Sequence, residues 1–418
     1  MQSVELGAVA DRDQTQRPTD LFLIFAGANI VATTLQIGGW VTGFSYSTAM
    51  LVIAAGAIAG AGLVAALAPV GSRLRVPSIV AARAALGFQG AQLVALFLFV
   101  TNFFWIADNN VIAASIVARL VHGASGAHEG AWAVLIGLIA TVTVLGGPRA
   151  VGLADRVAVP TLFVSGVVMT IACFRIPWPA SDAPPATALS VLRGFDMPFG
   201  YQTTWLLMFA DYSRYSQSPR GSAVAVLGGL GITALWFMPL GMIAAAAAQS
   251  TDPGAMVFGL QLGWWGGILL MLGTLTTNFV NIYMSALALK SLRPTVSNAT
   301  AIWIIGGIGA AISVLGKFWF DQFVDMIGLL AGVLVPIGGL LVAHYLVLKR
   351  QPRAADLYHG ANGAPPAVGA WSTAGMAAWI VGAAVFYLAR PIGGTLPSLA
   401  TSIVTYLILA RRSRANSQ

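Results

Sequence analysis

Charge is what this chain has least of. Asp, Glu, Lys and Arg together make up 9% of its 418 residues, against 57% hydrophobic, and the mean hydropathy is +0.81. A soluble protein carries about 25% charged residues, because its exterior must face water. This exterior must face lipid, which excludes a string of soluble domains and leaves a polytopic membrane protein read as one domain. Cysteine is almost absent as well. The single Cys173 sits in an apolar run, so there is no disulfide framework and no thiolate metal cluster. The four histidines (His122, His128, His344, His359) fall in loops or at a helix end, without metal-like spacing. There is no glycine loop ending in Lys-Ser/Thr, which argues against ATP-driven transport by this chain alone. Residues 1–20 carry Glu5, Asp11, Arg12, Asp13, Arg17 and Asp20 without an apolar stretch, so they read as a polar tail and not a signal peptide.

Long apolar runs, by contrast, are abundant. A crossing helix needs roughly 20 mostly apolar residues for about 30 Å of hydrocarbon. Twelve segments qualify, near 22–44, 47–69, 91–118, 131–148, 157–176, 195–212, 222–248, 262–289, 300–316, 323–348, 370–388 and 391–410. The loops test that count. Of 22 Lys and Arg, only Arg119, Arg175, Arg193, Lys317 and Arg390 fall on one side; the rest fall on the side of both termini. That asymmetry predicts cytoplasmic termini, and it accounts for the net charge of +8 without nucleic acid. The longest breaks, about 177–194 and 349–369, are too short for an enzyme domain.

Polar residues inside such runs mark candidate sites. The first segment reads Phe25-Ala26-Gly27-Ala28-Asn29-Ile30-Val31-Ala32-Thr33-Thr34, and the sixth Met197-Pro198-Phe199-Gly200-Tyr201-Gln202-Thr203-Thr204-Trp205. Glycine and proline among polar residues at matched places, five segments apart, point to a pair of broken helices around a binding site. The competing reading is that small residues merely allow close helix packing. The sixth segment offers Gln202, Thr204 and Trp205 to a ligand. In the eighth, the adjacent hydroxyls of Thr276 and Thr277 are hard oxygen ligands for a small cation, unless they bond back to their own helix. Asn278 and Asn281, three apart on one face, offer the donors and acceptors a planar heterocycle needs.

In the third segment Trp105 and Asn109 stack one turn apart, an aromatic plate beside an amide. Proteins hold nucleobases by such stacking with edge hydrogen bonds. Asp108 is the one acid well inside a segment. An intramembrane acid is a functional candidate, here for proton coupling, or else a structural carboxyl. A polytopic membrane enzyme, the competing class, would need a nucleophile–base set or paired metal-binding acids near one face. The sequence offers neither; Asp321 and Asp325, four apart, read as a solvated pair.

These residues resemble the nucleobase–cation symporter family of cytosine, purine, uracil and allantoin permeases and hydantoin transporters. The resemblance runs over roughly residues 20–350. It rests on Asp211-Tyr212-Ser213-Arg214-Tyr215, on Thr276-Thr277-Asn278, on Pro336-Ile337-Gly338-Gly339 with Tyr345, and on Val76-Pro77-Ser78 with Arg83 and Gly87-Phe88. It implies an all-α integral membrane protein of 12 transmembrane helices, with a leucine-transporter-like 5+5 inverted repeat and two extra C-terminal helices. The expected organisation is a tail over 1–20, a core over 21–348 (repeats about 21–176 and 195–348), a loop over 349–369, accessory helices over 370–410 and a tail over 411–418. The implied substrate stacks on Trp105 with Asn109 beside it; the implied Na⁺ site is the carbonyls of Gly27, Ile30 and Gly273 with the hydroxyls of Thr276 and Thr277. Gln202 stands where the family usually has a second aromatic, and His344-Tyr345 where many members have Asp-Tyr. The expectation is a monomeric symporter in the cell (inner) membrane, with no cofactor beyond a coupling Na⁺ or H⁺. Its partners would be a heterocycle, the ion and the bilayer.

Overall fold

The computed structural model describes residues 7–123, 128–175, 185–292, 295–358 and 366–415. Arg293, His359 and parts of the two long breaks lie outside them. The described chain is helical, its one β-bridge joining Gln16 to Ser216. In order the helices are α1 (Pro18–Asn29), α2 (Ala32–Trp40), α3 (Tyr46–Leu74), α4 (Ser78–Leu86), α5 (Phe88–His122), α6 (Glu129–Leu145), α7 (Gly147–Arg175) and α8 (Ala188–Thr203). There follow α9 (Phe209–Ser213), α10 (Pro219–Ala248), α11 (Pro253–Gly259), α12 (Gly263–Leu292), α13 (Asn298–Ile312), α14 (Phe318–Val342), α15 (Thr373–Ala389) and α16 (Thr395–Ala415).

Local chemistry sets many of these boundaries. The hydroxyls of Ser45, Ser218, Ser297 and Ser372 each accept a backbone N–H of the first turn that follows, at α3, α10, α13 and α15. Pro219 occupies the first turn of α10, where its missing N–H costs nothing. Side chains such as Leu388, Phe174 and Val224 stand exposed around the outside, as a lipid-facing surface requires. Among the described residues, seven helices are long and apolar enough to cross a membrane, and the bent pair α1–α2 makes an eighth. The reading of twelve crossings therefore rests on the sequence and its loop charges.

Both expected breaks are present. α1 and α2 meet at 61° across Ile30 and Val31. Thr34 Oγ1 donates to the Asn29 carbonyl at 2.7 Å, holding an acceptor that a continuous helix would have used. Gly27 lies inside α1, one turn before the break, which falls at the β-branched pair that follows Asn29. The sixth segment ends its helix at Thr203 and continues through a 3-10 turn, Leu206–Met208, into α9. Pro198 sits inside α8, upstream of that break.

α10 packs across α1, α2 and α3, and the contact with α2 depends on glycine. A methyl on Gly38 would collide with the Met238 carbonyl, and one on Gly241 with the Leu35 carbonyl. At the end of the bundle away from the termini, Asp252 ties the turn before α11 to α5. Its carboxylate accepts from Ser115 Oγ at 2.8 Å, the Gly254 N–H at 2.8 Å and the Arg119 guanidinium at 3.0 Å.

Candidate functional site

The break in the first segment faces the sixth through hydroxyls. Tyr201 Oη lies 2.9 Å from Thr33 Oγ1 and 2.8 Å from Thr34 Oγ1, and all three residues are buried. Asn29 reaches the other way, its amide donating to the Leu230 carbonyl and to Thr233 Oγ1. The interrupted backbone is thus braced by side chains from α8 and α10, which satisfies groups that lipid could not.

Trp105 stands across from this brace on α5. Its ring meets Tyr201 edge-on at 6.3 Å and Phe323 of α14 at 6.4 Å. It is half-buried. Asn109 donates its amide N–H to the Trp105 carbonyl at 2.7 Å, which leaves the amide oxygen to act as an acceptor. Gln202 is completely buried, and neither its oxygen nor its nitrogen has a hydrogen-bond partner among the described residues. The Trp205 indole N–H and the Asn278 amide oxygen are in the same condition. Thr204 turns its hydroxyl back to the Tyr201 carbonyl, at 2.7 Å.

The eighth-segment residues divide. Asn278 donates to Asn110 Oδ1 at 2.7 Å, and Asn110 in turn donates to Ser313 Oγ at 2.9 Å, so these amides stitch α12 to α5 and to the end of α13. Asn281 contributes its backbone carbonyl to Asn102, at 3.2 Å. Thr276 and Thr277 both donate their hydroxyl hydrogens to the Gly273 carbonyl, at 2.9 and 3.0 Å. Back-bonding and ligation are compatible here, because each hydroxyl oxygen keeps lone pairs after donating its proton.

Asp108 is the most exacting residue of the region. It is 0% exposed, and neither carboxylate oxygen has a hydrogen-bond partner among the described residues. Gln36, on α2, is equally buried with both amide atoms unpartnered. Unpaired polar groups in a dry interior cost several kcal/mol in hydrocarbon-like surroundings, and native folds keep few of them. Sequence reading passed over Gln36; Thr33, Thr34, Tyr201 and Asn110 stand in the polar runs it marks, but their hydrogen-bonding roles were not legible there. A polar residue in an apolar segment is the signal they share, but it does not tell which way each points.

The remaining motif residues lie together at the end of the bundle that carries the termini. The Ala210 N–H donates to Ser78 Oγ at 2.8 Å, and the Ser78 N–H to Asp211 at 3.3 Å, joining α4 to α9. Tyr345 Oη donates to the Ala81 carbonyl at 2.7 Å, and the Arg83 guanidinium caps the Leu357 carbonyl at 2.8 Å while lying 4.4 Å over the Phe88 ring. His344 Nδ1 pairs with Tyr406 Oη at 2.6 Å, fastening the end of the tenth segment to α16. At the opposite end Asp325, expected as half of a solvated pair with Asp321, is exposed and meets Arg390 at 2.7 Å.

Known proteins place this arrangement. A family model for permeases of cytosine/purines, uracil, thiamine and allantoin matches residues 8–408. The cytosine permease of Escherichia coli (strain K12) is 23% identical over 341 residues, covering 79% of this chain and 78% of that protein. The purine-cytosine permease of Saccharomyces cerevisiae is 24% identical over 392 residues, 85% of this chain and 72% of that one. In fold, the inward-facing structure of Mhp1 superposes with a TM-score of 0.78 at 17% identity, over 98% of this chain and 95% of that one. Mhp1 is described as a nucleobase-cation-symport-1 family transporter, and its closed form with bromovinylhydantoin bound gives a TM-score of 0.74 at 18% identity, over 98% and 96% of the two chains. Matched almost from end to end, this multi-pass membrane protein belongs to the family of permeases for cytosine and purines, uracil, thiamine and allantoin.

Proposed function

We propose that this chain is a secondary transporter that carries a nucleobase or a related planar nitrogen heterocycle into the cell by cation symport. Na⁺ is the coupling ion, and access alternates about the broken first and sixth helices. The observation that carries the reading is the break at Ile30–Val31, braced by Tyr201, with the half-buried Trp105 plate facing it. The heterocycle would stack on Trp105, with Asn109, Gln202, Thr204, Trp205, Asn278 and Asn281 available to its edges. Na⁺ would sit between the carbonyls of Gly27, Ile30 and Gly273 and the hydroxyls of Thr276 and Thr277, an oxygen cage without fixed charge. The relatives' names support the cargo class: one is a cytosine permease, another a purine-cytosine permease. Allantoin, a hydantoin or a thiamine pyrimidine precursor is the alternative cargo on the same fold. The protein would work as a monomer in the cell (inner) membrane, with twelve crossings and both termini cytoplasmic. A second reading, proton coupling, has its own observation in the dry carboxyl of Asp108.

Purified protein in liposomes separates these readings. Uptake of labelled cytosine, hypoxanthine, uracil, allantoin and a hydantoin is measured under a Na⁺ gradient and, separately, a pH gradient. At least one heterocycle should accumulate with Na⁺. Thr277→Ala should remove the Na⁺-dependent gain in affinity, and Asp108→Asn should leave that gain intact. Uptake that ignores Na⁺, follows the pH gradient and dies in Asp108→Asn would overturn the sodium assignment.

A further inference from the structure

Asp108 is a buried acid that the proposed binding site leaves unused, and its surroundings restrict what it can do. Trp105 and Asp108 are three residues apart on α5 and so share a face. The Tyr201 hydroxyl braces the helix break, and its ring meets that of Trp105 at 6.3 Å. Trp105 and Asp108 thus share the face of α5 whose aromatic ring meets the brace of the helix break. No described side chain or backbone N–H donates to either carboxylate oxygen, although buried acceptors are normally satisfied. The nearest ion pair on its own helix, Arg119 with Asp252, lies eleven residues further on and is already complete.

A carboxylate offers two acceptor oxygens side by side, and its best partner is a planar group with two parallel N–H donors. We propose that Asp108 is a specificity-determining residue of the heterocycle site, which takes rings carrying an exocyclic amino group beside a ring N–H, such as the 2-amino and N1–H edge of guanine. This rests on the functional reading above and narrows its substrate class. Hypoxanthine matches guanine except for the 2-amino group, so it leaves one oxygen unpaired. Uracil sets carbonyl oxygens against the carboxylate. A site built around a hydrogen bond discriminates strongly against a ligand that lacks it, since its own buried group is then left bare.

The test is equilibrium binding of labelled guanine, hypoxanthine, isocytosine and uracil to purified protein at neutral pH. The parent should bind guanine at least tenfold more tightly than hypoxanthine, and isocytosine at least tenfold more tightly than uracil. Asp108→Asn places an N–H donor against the ligand's donors and should abolish both preferences while hypoxanthine still binds. Asp108→Ala removes the acceptors without adding a donor and should level the two purines as well, which guards against a folding defect peculiar to one variant. Equal binding of the paired ligands by the parent overturns the proposal, as do preferences that survive both variants. Loss in Asp108→Asn of pH-driven uptake alone, with ligand preference unchanged, assigns the carboxyl to protons and overturns it too. Trp105→Ala keeps the two levels apart. If that variant loses every heterocycle while the Asp108 variants change nothing, only the edge assignment fails. If the parent binds no heterocycle at all, the functional reading itself fails.

Discussion

Trp105 and Glu129 show how differently a single residue can matter at the two depths of this molecule. Stacking on an aromatic face contributes on the order of 1–3 kcal/mol per base. Trp105→Ala should therefore weaken heterocycle binding by roughly fivefold to more than a hundredfold, and Trp105→Phe should retain part of it, both read by ligand-induced thermal shift. Parent-like binding in both would make Trp105 a packing residue. Glu129 stands just before the fourth apolar segment. Burial, and then the negative charge of Asp252, push its carboxyl up to about 7, against partial relief from Arg119 and Lys317. The folded protein thus holds a proton there that the unfolded chain releases near the ordinary value of 4.5, so stability falls as pH rises between those values. Glu129→Gln removes that penalty. Its melting temperature should gain on the parent as pH goes from 5 to 8, by the equivalent of about 1 kcal/mol after allowing for solvent screening. A difference that stays flat with pH would assign the destabilising charge elsewhere. The sequence singled out Trp105 and Asp108 because each is conspicuous in an apolar run. Glu129 looks like an ordinary acid at a helix start, and only the fold brings Asp252 near it.

At the scale of elements, the close approach of α2 to α10 carries a sharp expectation. Gly38 and Gly241 each pack against a carbonyl of the opposite helix, and backbone cannot retreat as a flexible side chain can. Gly241→Ala should cost roughly 1–3 kcal/mol, seen as a lowered melting temperature in detergent, whereas Gly62→Ala, which meets open space, should be neutral. Equal tolerance at both positions would mean that α2 and α10 part more easily than their packing implies. The breaks are the elements the sequence showed best. Polar residues at matched positions of the first and sixth segments marked both of them. Their positions were less legible. Gly27 drew attention, yet the backbone turns at Ile30 and Val31. Backbone can be interrupted wherever neighbouring groups hold the segment in place, and here Tyr201, Thr233 and the Leu230 carbonyl, from distant helices, bond the side chains of Thr33, Thr34 and Asn29.

For the whole molecule, the loop charges predict that tags at residue 1 and residue 418 are reached only from the cytoplasmic side. Labelling of only one tag from outside would break the count of twelve crossings. The distribution of Lys and Arg bears on orientation because long apolar helices have two ways to insert and charge chooses between them.

Composition and periodicity by themselves marked a helical protein that lives in lipid, polar interruptions in the first and sixth segments, and an aromatic plate and an acid within the third. Those are local properties, each legible within one segment of about 20 residues. Which polar groups partner each other was decided only in three dimensions. Asn278 gives one amide N–H to Asn110 and leaves its oxygen unpartnered, and Gln36, with no motif around it, ends fully buried with both amide atoms unpartnered. The physical reason is that hydrophobic burial depends on how much apolar surface a segment carries, whereas a hydrogen bond depends on where one particular atom of another helix lies.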